Sequence, residues 1–308
     1  MGASESTVTS CERTTGVTIL KVAGLHNASI FLSVCMKLKL CLSRFGWAVT
    51  SILLVSMLGV FYVCWLRPAM LSRESLLAVV RPVRLTNCTM QRFGGMNDGG
   101  YLMCANLLNQ AQVAYSYGID GRDEWGCEIS RQYHLKVHQY DCFNTTKPVC
   151  SGGDFTFHPE CIGASTQVVD GRPFDSMVTQ IRRNGDENKR IVMKMDVEGA
   201  EWESLAATPD HQLALIDQMS IEFHGVSLAE YRALLERLKQ HFYIVDVHIN
   251  NFTCDWRSWP MPGWVFELLL VNRRLGIPDT KAFANEPTPH PLSQPNNPHN
   301  EDCQIEWR

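Results

Sequence analysis

Three carboxylates lie within six positions, directly behind a short apolar run. The segment KMDVEGAEW, residues 194–202, contains Asp196, Glu198 and Glu201, and it follows the apolar residues 191–193. A short apolar run is typical of a buried strand, so we expect Asp196 at the carboxyl end of a strand. A carboxylate at that position is suited to orient a hydroxyl group and to accept its proton. The N-terminus of the following helix explains Glu198 and Glu201 equally well, because it attracts negative charge.

A second polar pair lies in the segment SIEFHG. Glu222 and His224 alternate with Ile221 and Phe223, so the two polar side chains share one face of a predicted strand. Together with Asp196, they could orient a hydroxyl group or hold a divalent metal through oxygen and nitrogen atoms. A hydrogen-bonded Glu-His pair that closes the sheet is an equally good explanation. We name Asp196, Glu222 and His224 as candidate catalytic residues, and we predict no metal.

A glycine turn and a distant acid form a second constellation. In YSYGIDGRDEWG, residues 115–126, Gly118 and Gly121 bracket a turn between a strand and a helix. Glycines let the backbone come close to a ligand, as a nucleotide-like cofactor requires, although Asp120-Gly121 alone is an ordinary turn. About 20 residues further on, Asp141 ends a second strand, where nucleotide-binding α/β folds place the acid that binds the ribose hydroxyls. An exposed acid before a turn is the alternative. The candidate cofactor-binding residues are Gly118, Asp120, Gly121, Asp141 and Asp196.

The elements that must position these residues alternate along the chain. Short apolar runs and amphipathic stretches follow one another over residues 88–275, which predicts an α/β fold with a largely parallel sheet. We predict strands at 113–117, 135–140, 190–195, 218–223, 243–249 and 264–271. We predict helices at 124–133, 174–183, 200–207 and 227–241. Such sheets bind ligands outside the carboxyl ends of their strands, where the candidate residues lie.

Four segments, in this order and at these distances, carry a family resemblance. FGGMNDGGYLM, YSYGIDG, KMDVEGAEW and IEFHG resemble the FkbM-related, methyltransferase-like branch of the class I S-adenosylmethionine-dependent methyltransferases. The resemblance implies a Rossmann-like class I methyltransferase sheet, mostly parallel, with an antiparallel strand near the C-terminus. It also implies S-adenosylmethionine as the cofactor, with contacts near Gly118 and Asp141. The sequence departs from the family in its first motif, where the usual acid and three closely spaced glycines are absent and Tyr117 occupies a position of small or acidic residues.

The N-terminal part of the chain and the cysteines predict a location. Residues 45–66 carry no charge and are long enough for a transmembrane helix, with a buried helix or a signal peptide as alternatives.

Acceptor triplets for N-glycosylation begin at Asn87, Asn144 and Asn251. An even set of cysteines without a C-x-x-C pair is typical of disulfides in an oxidising lumen. These cysteines are Cys88, Cys104, Cys127, Cys142, Cys150, Cys161, Cys254 and Cys303. We predict a single-pass type II membrane glycoprotein of the Golgi or endoplasmic reticulum with a luminal catalytic domain.

The predicted domain organisation has five parts. They are a cytosolic tail at 1–44, a transmembrane anchor at 45–66, a stem at 67–86, a methyltransferase-like domain at 87–278 and a flexible tail at 279–308. The formal net charge of -4 over 308 residues gives no sign of a nucleic-acid surface, so we predict no nucleic-acid partner.

Three functional hypotheses follow from these observations. The first is a membrane-anchored S-adenosylmethionine-dependent methyltransferase that modifies oxygen in a glycan, a lipid or a small molecule of the secretory pathway. The second is a Golgi-type glycosyltransferase, which has the same layout of tail, anchor, stem and luminal domain. MDVE offers only D-x-E, however, where many such enzymes bind their metal through D-x-D. The third is a non-catalytic binding protein with a methyltransferase fold, which the altered glycine motif favours.

Overall fold

The apolar N-terminal segment forms a helix of limited length. The computed structural model describes residues 46–62, 67–226, 229–279 and 290–307. Helix α1 covers Gly46–Phe61, which is 16 residues.

In the part of the chain that the structure describes, no helix combines the length and the apolar character that a membrane span requires. The prediction of an N-terminal transmembrane helix is therefore wrong. Residues 63–66 of the predicted anchor, and the whole predicted cytosolic tail at 1–44, lie outside the described residues.

Twelve strands and six further helices follow α1 in the described chain. The strands are β1 (Met90–Gly94), β2 (Gly100–Cys104), β3 (Val113–Tyr117), β4 (Lys136–Tyr140), β5 (Asp154–His158), β6 (Cys161–Gly163), β7 (Gln167–Val169), β8 (Arg172–Ser176), β9 (Ile191–Met195), β10 (Ile216–His224), β11 (Phe242–Ile249) and β12 (Val265–Asn272). The helices are α2 (Arg67–Val79), α3 (Glu124–Tyr133), α4 (Met177–Arg183), α5 (Glu201–Ala207), α6 (Asp210–Leu213) and α7 (Ala229–His241). The predicted start of α7 at residues 227 and 228 lies outside the described residues.

Seven of these strands form one mixed sheet in the order β11-β12-β10-β9-β3-β4-β5. Strands β3, β4, β5, β9 and β10 are parallel to their neighbours in this set, whereas β12 is antiparallel to both β10 and β11. From β3 the chain proceeds to one edge through β4 and β5, and it then returns to β9 on the other side of β3. The strand order therefore reverses between β3 and β9, and open α/β sheets bind their ligands at such a point.

The two faces of the sheet are covered by different elements, and the alternation of side chains along each strand separates them. In β3, Val113, Tyr115 and Tyr117 pack in a cluster with residues of α2, α4, α5 and α7. Ala114, between them, packs on the opposite face with α3 and the β1-β2 hairpin. Because both faces are covered, β3 and β9 are buried along their whole length. This burial fixes the positions of the residues that follow each strand.

Several strands were not predicted, and their composition explains why. The predicted strands correspond to β3, β4, β9, β10, β11 and β12 with shifts of one or two residues at their ends. Strand β5, DFTFH, lies at the edge of the sheet and is only partly buried, so it lacks a long apolar run. The β1-β2 hairpin and the small β6-β8-β7 sheet were also missed, because short strands carry a weak periodic signal.

All eight cysteines beyond the apolar segment form disulfides. The pairs are Cys88–Cys104, Cys127–Cys150, Cys142–Cys161 and Cys254–Cys303. The last pair connects the C-terminal segment 290–307 to the loop that follows β11. In the same segment, the backbone oxygens of Asn297 and Asn300 accept hydrogen bonds from the Asn251 amide. The described part of the tail, which composition predicted to be flexible, is thus attached to the domain by a covalent bond.

Candidate functional site

The turn after β3 brings three strand ends into contact. Gly118 has a φ of +71°, and a Cβ atom placed on it would lie 1.5 Å from the backbone oxygen of Asp196. Its N–H donates a hydrogen bond to the Tyr140 oxygen at 2.9 Å, and the Asp196 N–H donates to the Tyr117 oxygen at 3.0 Å. Glycine is required here both for its backbone conformation and for the close approach of the β9 end.

Two cavities adjoin at this turn, and both are lined by Gly118, Asp120 and Asp196. The larger has a volume of about 370 Å³. Its other walls are mainly apolar and aromatic, and they include Tyr140, Phe143, Ile162 and Phe174. The smaller, of about 210 Å³, is polar and includes Asp98, Asp123, Arg122 and Lys194 in its walls. An apolar compartment beside a charged one suits a ligand with a flat ring system and a charged tail.

Asp141 lines the larger cavity, but its carboxylate is already occupied. One oxygen, Oδ2, accepts hydrogen bonds from the backbone N–H groups of Ile119 at 3.0 Å and Asp120 at 2.8 Å. The other, Oδ1, accepts from the N–H groups of Phe143 at 2.9 Å and Asn144 at 3.0 Å. A carboxylate has about four lone-pair sites, so these four bonds use its capacity. Asp141 thus braces the two loops that shape the cavity.

Asp196 lies at the carboxyl end of β9, between the two cavities. Its Oδ2 accepts a hydrogen bond from the Tyr101 hydroxyl at 3.2 Å, and Lys194 Nζ lies 3.7 Å from the same oxygen. Burial raises the pKa of Asp196 above its usual value, while Lys194 and His224 act in the opposite direction. Lys194 also donates hydrogen bonds to the backbone oxygens of Tyr117 and Gly118, which connects it to the glycine turn.

His224 ends β10, and buried Glu201 fixes its orientation. Imidazole Nδ1 lies 3.1 Å from Glu201 Oε1, and Nε2 lies 3.4 Å from an oxygen of Glu198, which lines the larger cavity. Glu201 also accepts hydrogen bonds from the backbone N–H groups of Val197 and Gly199, so it shapes the turn after β9. Burial alone would lower the pKa of His224, but the bond to Glu201 and the surrounding carboxylates raise it.

Glu222 is a buried acid, with an exposure of 4%. Its Oε1 accepts a hydrogen bond from the Asn250 amide at 3.0 Å and lies 3.7 Å from His224 Nε2. Its Oε2 has no hydrogen-bond partner among the described residues. Burial, followed by the nearby charges of Asp196 and Glu267, raises the pKa of Glu222 well above its usual value.

Only some of the predicted site residues line the cavities. Gly118, Asp120, Asp141 and Asp196 line the larger cavity, whereas Gly121 lies beside Asn144 and lines neither cavity. Glu222 and His224 lie behind Asp196 rather than in the cavity walls. The three predicted catalytic residues therefore belong to one polar cluster, but only Asp196 contacts both cavities.

Sequence reasoning missed two contacts of this cluster. Tyr101 was part of a motif that carried the family resemblance, yet nothing in its spacing indicated a bond to Asp196. Glu201 was explained by the helix N-terminus, whereas its carboxylate holds His224 and the preceding turn. Glu201 lies six residues after the end of β9, and its partner His224 lies at the end of β10. No periodic pattern in the sequence links two such positions.

No model of a known protein family matches this chain, and no curated protein is significantly similar to it.

Proposed function

We propose that this protein is an S-adenosylmethionine-dependent methyltransferase that modifies an oxygen atom of a glycan, a lipid or a small molecule in the secretory pathway. The observation that carries the proposal is the pair of adjoining cavities at the point where the strand order reverses. Both cavities meet at Gly118, Asp120 and Asp196, which follow the two central strands. The seven-stranded sheet with its antiparallel β12 agrees with the fold that the methyltransferase resemblance implies.

The cavity walls fit this cofactor in shape and polarity. The aromatic and apolar side chains of Tyr140, Ile162 and Phe174 would contact the adenine ring, and the acidic residues of the smaller cavity would face the positively charged end. Gly118 allows the backbone to lie close to the cofactor. Asp141 would contribute by holding its two loops in place rather than by a free carboxylate, because its oxygens are occupied by backbone amides.

When bound, the cofactor supplies a methyl group activated by a sulfonium. The chain must hold the acceptor oxygen in line with that group and receive its proton. Asp196 is placed for both tasks, since it lines both cavities and is held by Tyr101 and Lys194. His224 and Glu222 lie behind it and would fix the polar surroundings of the acceptor, with Glu201 holding the imidazole ring.

The cysteines support a location in the secretory pathway. All eight cysteines that follow the apolar segment are paired, and one pair, Cys142–Cys161, lies in the wall of the larger cavity. Disulfides persist in oxidising compartments and are rare in the cytosol. A cytosolic enzyme would not be expected to build its cofactor pocket around a disulfide.

One observation favours a second function. In a non-catalytic binding protein with this fold, Asp141 would have no ribose to bind, and its four bonds to backbone amides fit such a purely structural role. Cofactor binding distinguishes the two proposals, because the methyltransferase requires it.

Calorimetric titration of the full chain with S-adenosylmethionine tests the proposal. We expect binding, and we expect Asp120→Asn to weaken it, because asparagine tolerates the positive φ of this position but removes the charge between the cavities. Asp154→Asn, an exposed acid at the sheet edge, is the matched control and should bind as the unmodified chain does. A folded chain that does not bind the cofactor would support the non-catalytic function, and binding of a UDP-sugar instead would support glycosyl transfer.

A further inference from the structure

We propose that Asp196, Glu201 and His224 form a binding site for a divalent transition-metal cation, with the buried carboxylate of Glu222 beside it. Each of the first three side chains offers one ligand atom, and these atoms all lie within 4.8 Å of one another. Neighbouring ligands of an octahedral ion, at about 2.1 Å from it, are separated by about 3 Å, and opposite ligands by about 4.2 Å. The limit of 4.8 Å exceeds the largest of these separations by about 0.6 Å, so small side-chain rotations would let a single ion reach all three atoms.

Glu222, which lies next to His224 on β10, provides a second and independent observation. Its side chain is more than nine-tenths buried, it extends from the same face of β10 as His224, and its Oε1 lies 3.7 Å from His224 Nε2. Within the described residues, its Oε2 has no hydrogen-bond partner. A buried carboxylate oxygen without a partner is unfavourable by itself, and a cation beside it would provide the missing interaction.

The contact between Glu201 and His224 is compatible with either a proton or an ion. The distance of 3.1 Å between Oε1 and Nδ1 is that of a hydrogen bond, and it is also the separation of two neighbouring metal ligands. Glu201 is fully buried and is held by the backbone of the turn after β9, so its oxygen is fixed before any ion arrives. Such preorganisation is typical of a built site rather than of a group of surface acids.

The donor atoms select the kind of ion. One imidazole nitrogen among carboxylate oxygens suits Mn²⁺ or Zn²⁺, whereas an all-oxygen site would suit Mg²⁺ or Ca²⁺. Lys194 offsets part of the charge of Asp196, but the cluster contains three further carboxylates, at Glu198, Glu201 and Glu222. The use of such an ion to hold an acceptor hydroxyl rests on the proposed function, whereas the occupancy of the site does not.

The test uses the full chain after treatment with a chelator. Mn²⁺ is added in steps, the free ion is followed by electron paramagnetic resonance, and Zn²⁺ is then added as a competitor. We expect one Mn²⁺ per chain, displaced by Zn²⁺. His224→Gln should weaken binding at least tenfold, because it removes the imidazole donor. Glu222→Gln should also weaken binding, because it removes a neighbouring negative charge while keeping the side-chain shape. His211→Gln, an exposed histidine, is the matched control and should leave the affinity unchanged.

Three outcomes would overturn the ion site: no bound ion in a chain with native circular dichroism, an affinity that neither substitution changes, or an equal loss in the control. Asp196→Asn replaces either variant if that variant does not fold. Binding of S-adenosylmethionine is measured on the same samples, so the two proposals can fail separately. Cofactor binding without any ion would refute the ion site alone, and a site-specific ion without cofactor binding would support the ion site alone.

Discussion

The turn at Gly118 gives the sharpest prediction, because the chain contains a matched control for it. Gly118 and Gly185 have nearly the same φ, +71° and +72°. A Cβ atom on Gly185, which follows helix α4, would meet no atom within 4 Å, whereas one on Gly118 would lie 1.5 Å from the Asp196 oxygen. Replacement of each glycine by alanine therefore separates the cost of the conformation from the cost of the contact.

The expected magnitudes follow from these two geometries. An alanine with positive φ costs about 1–2 kcal/mol, and we expect this cost in both variants. Gly118→Ala adds an overpacking cost of about 1–3 kcal/mol, since the end of β9 must move away from the new methyl group. Real Cβ atoms approach other atoms no closer than about 3.0 Å, so the Asp196 oxygen and the methyl group must separate by at least a further 1.5 Å. A displacement of this size moves a residue that lines both cavities, so the affinity for the proposed cofactor should fall as well.

Urea denaturation of the two variants and calorimetric titration with S-adenosylmethionine measure both effects. We expect Gly118→Ala to unfold more readily than Gly185→Ala and to lose cofactor affinity, while Gly185→Ala binds as the unmodified chain does. Equal free energies of unfolding in the two variants, together with equal affinities, would show that the contact between the glycine turn and β9 is not required for the site.

Three further predictions concern stability. Replacement of Cys254 and Cys303 by serine opens a loop closed over 49 residues, and chain entropy predicts a loss of about 4 kcal/mol in the free energy of unfolding, measured in urea. Burial lowers the pKa of both His138 and His158 to about 4. Between about pH 6.5 and pH 4 the unfolded chain therefore binds protons that the folded chain excludes, so the free energy of unfolding falls as the pH decreases through this range. His138→Asn should reduce this dependence on pH. The carboxylates of Asp302 and Glu267 overcome the effect of burial and raise the pKa of His248 to about 10. His248→Asn should therefore destabilise the protein at pH 6, and the difference from the unmodified chain should disappear as the pH rises to about 10.

Six of the seven strands of the central sheet could be predicted from sequence because they are largely buried, whereas the partly buried edge strand β5 was missed. Val113–Tyr117 is buried at every position, and such a run stands out from its polar neighbours. The apolar segment at 45–66 shows the limit of the same reasoning. Composition alone indicated a membrane span, whereas the described helix covers Gly46–Phe61 and no described helix has the length and apolar character of a span. The attachment of the C-terminal segment was equally hidden, because a disulfide partner cannot be read from a polar sequence.

The candidate site was predictable where residues follow strands directly. Asp196, Glu222 and His224 occupy strand ends, and the parallel arrangement of β9 and β10 brings them to one edge of the sheet. The contacts of Tyr101 and Glu201 could not be predicted, since each joins residues that are distant in sequence through side-chain geometry alone. Spacing identifies which residues are near one another, whereas it does not identify which hydrogen bonds they form.

Asp141 shows why this distinction matters for function. Its place after β4 predicted a ribose-binding acid, yet its two oxygens accept four hydrogen bonds from the backbone. A ribose hydroxyl could gain one of these oxygens only by displacing an amide, and each displaced amide would need a new partner. In the proposed methyltransferase, the carboxylate would therefore act on the cofactor through the shape of the loops that contain Asp120 and Phe143, both of which line the larger cavity. Loss of this carboxylate should consequently impair cofactor binding even if it never contacts the ribose, so a binding defect alone cannot identify a direct contact.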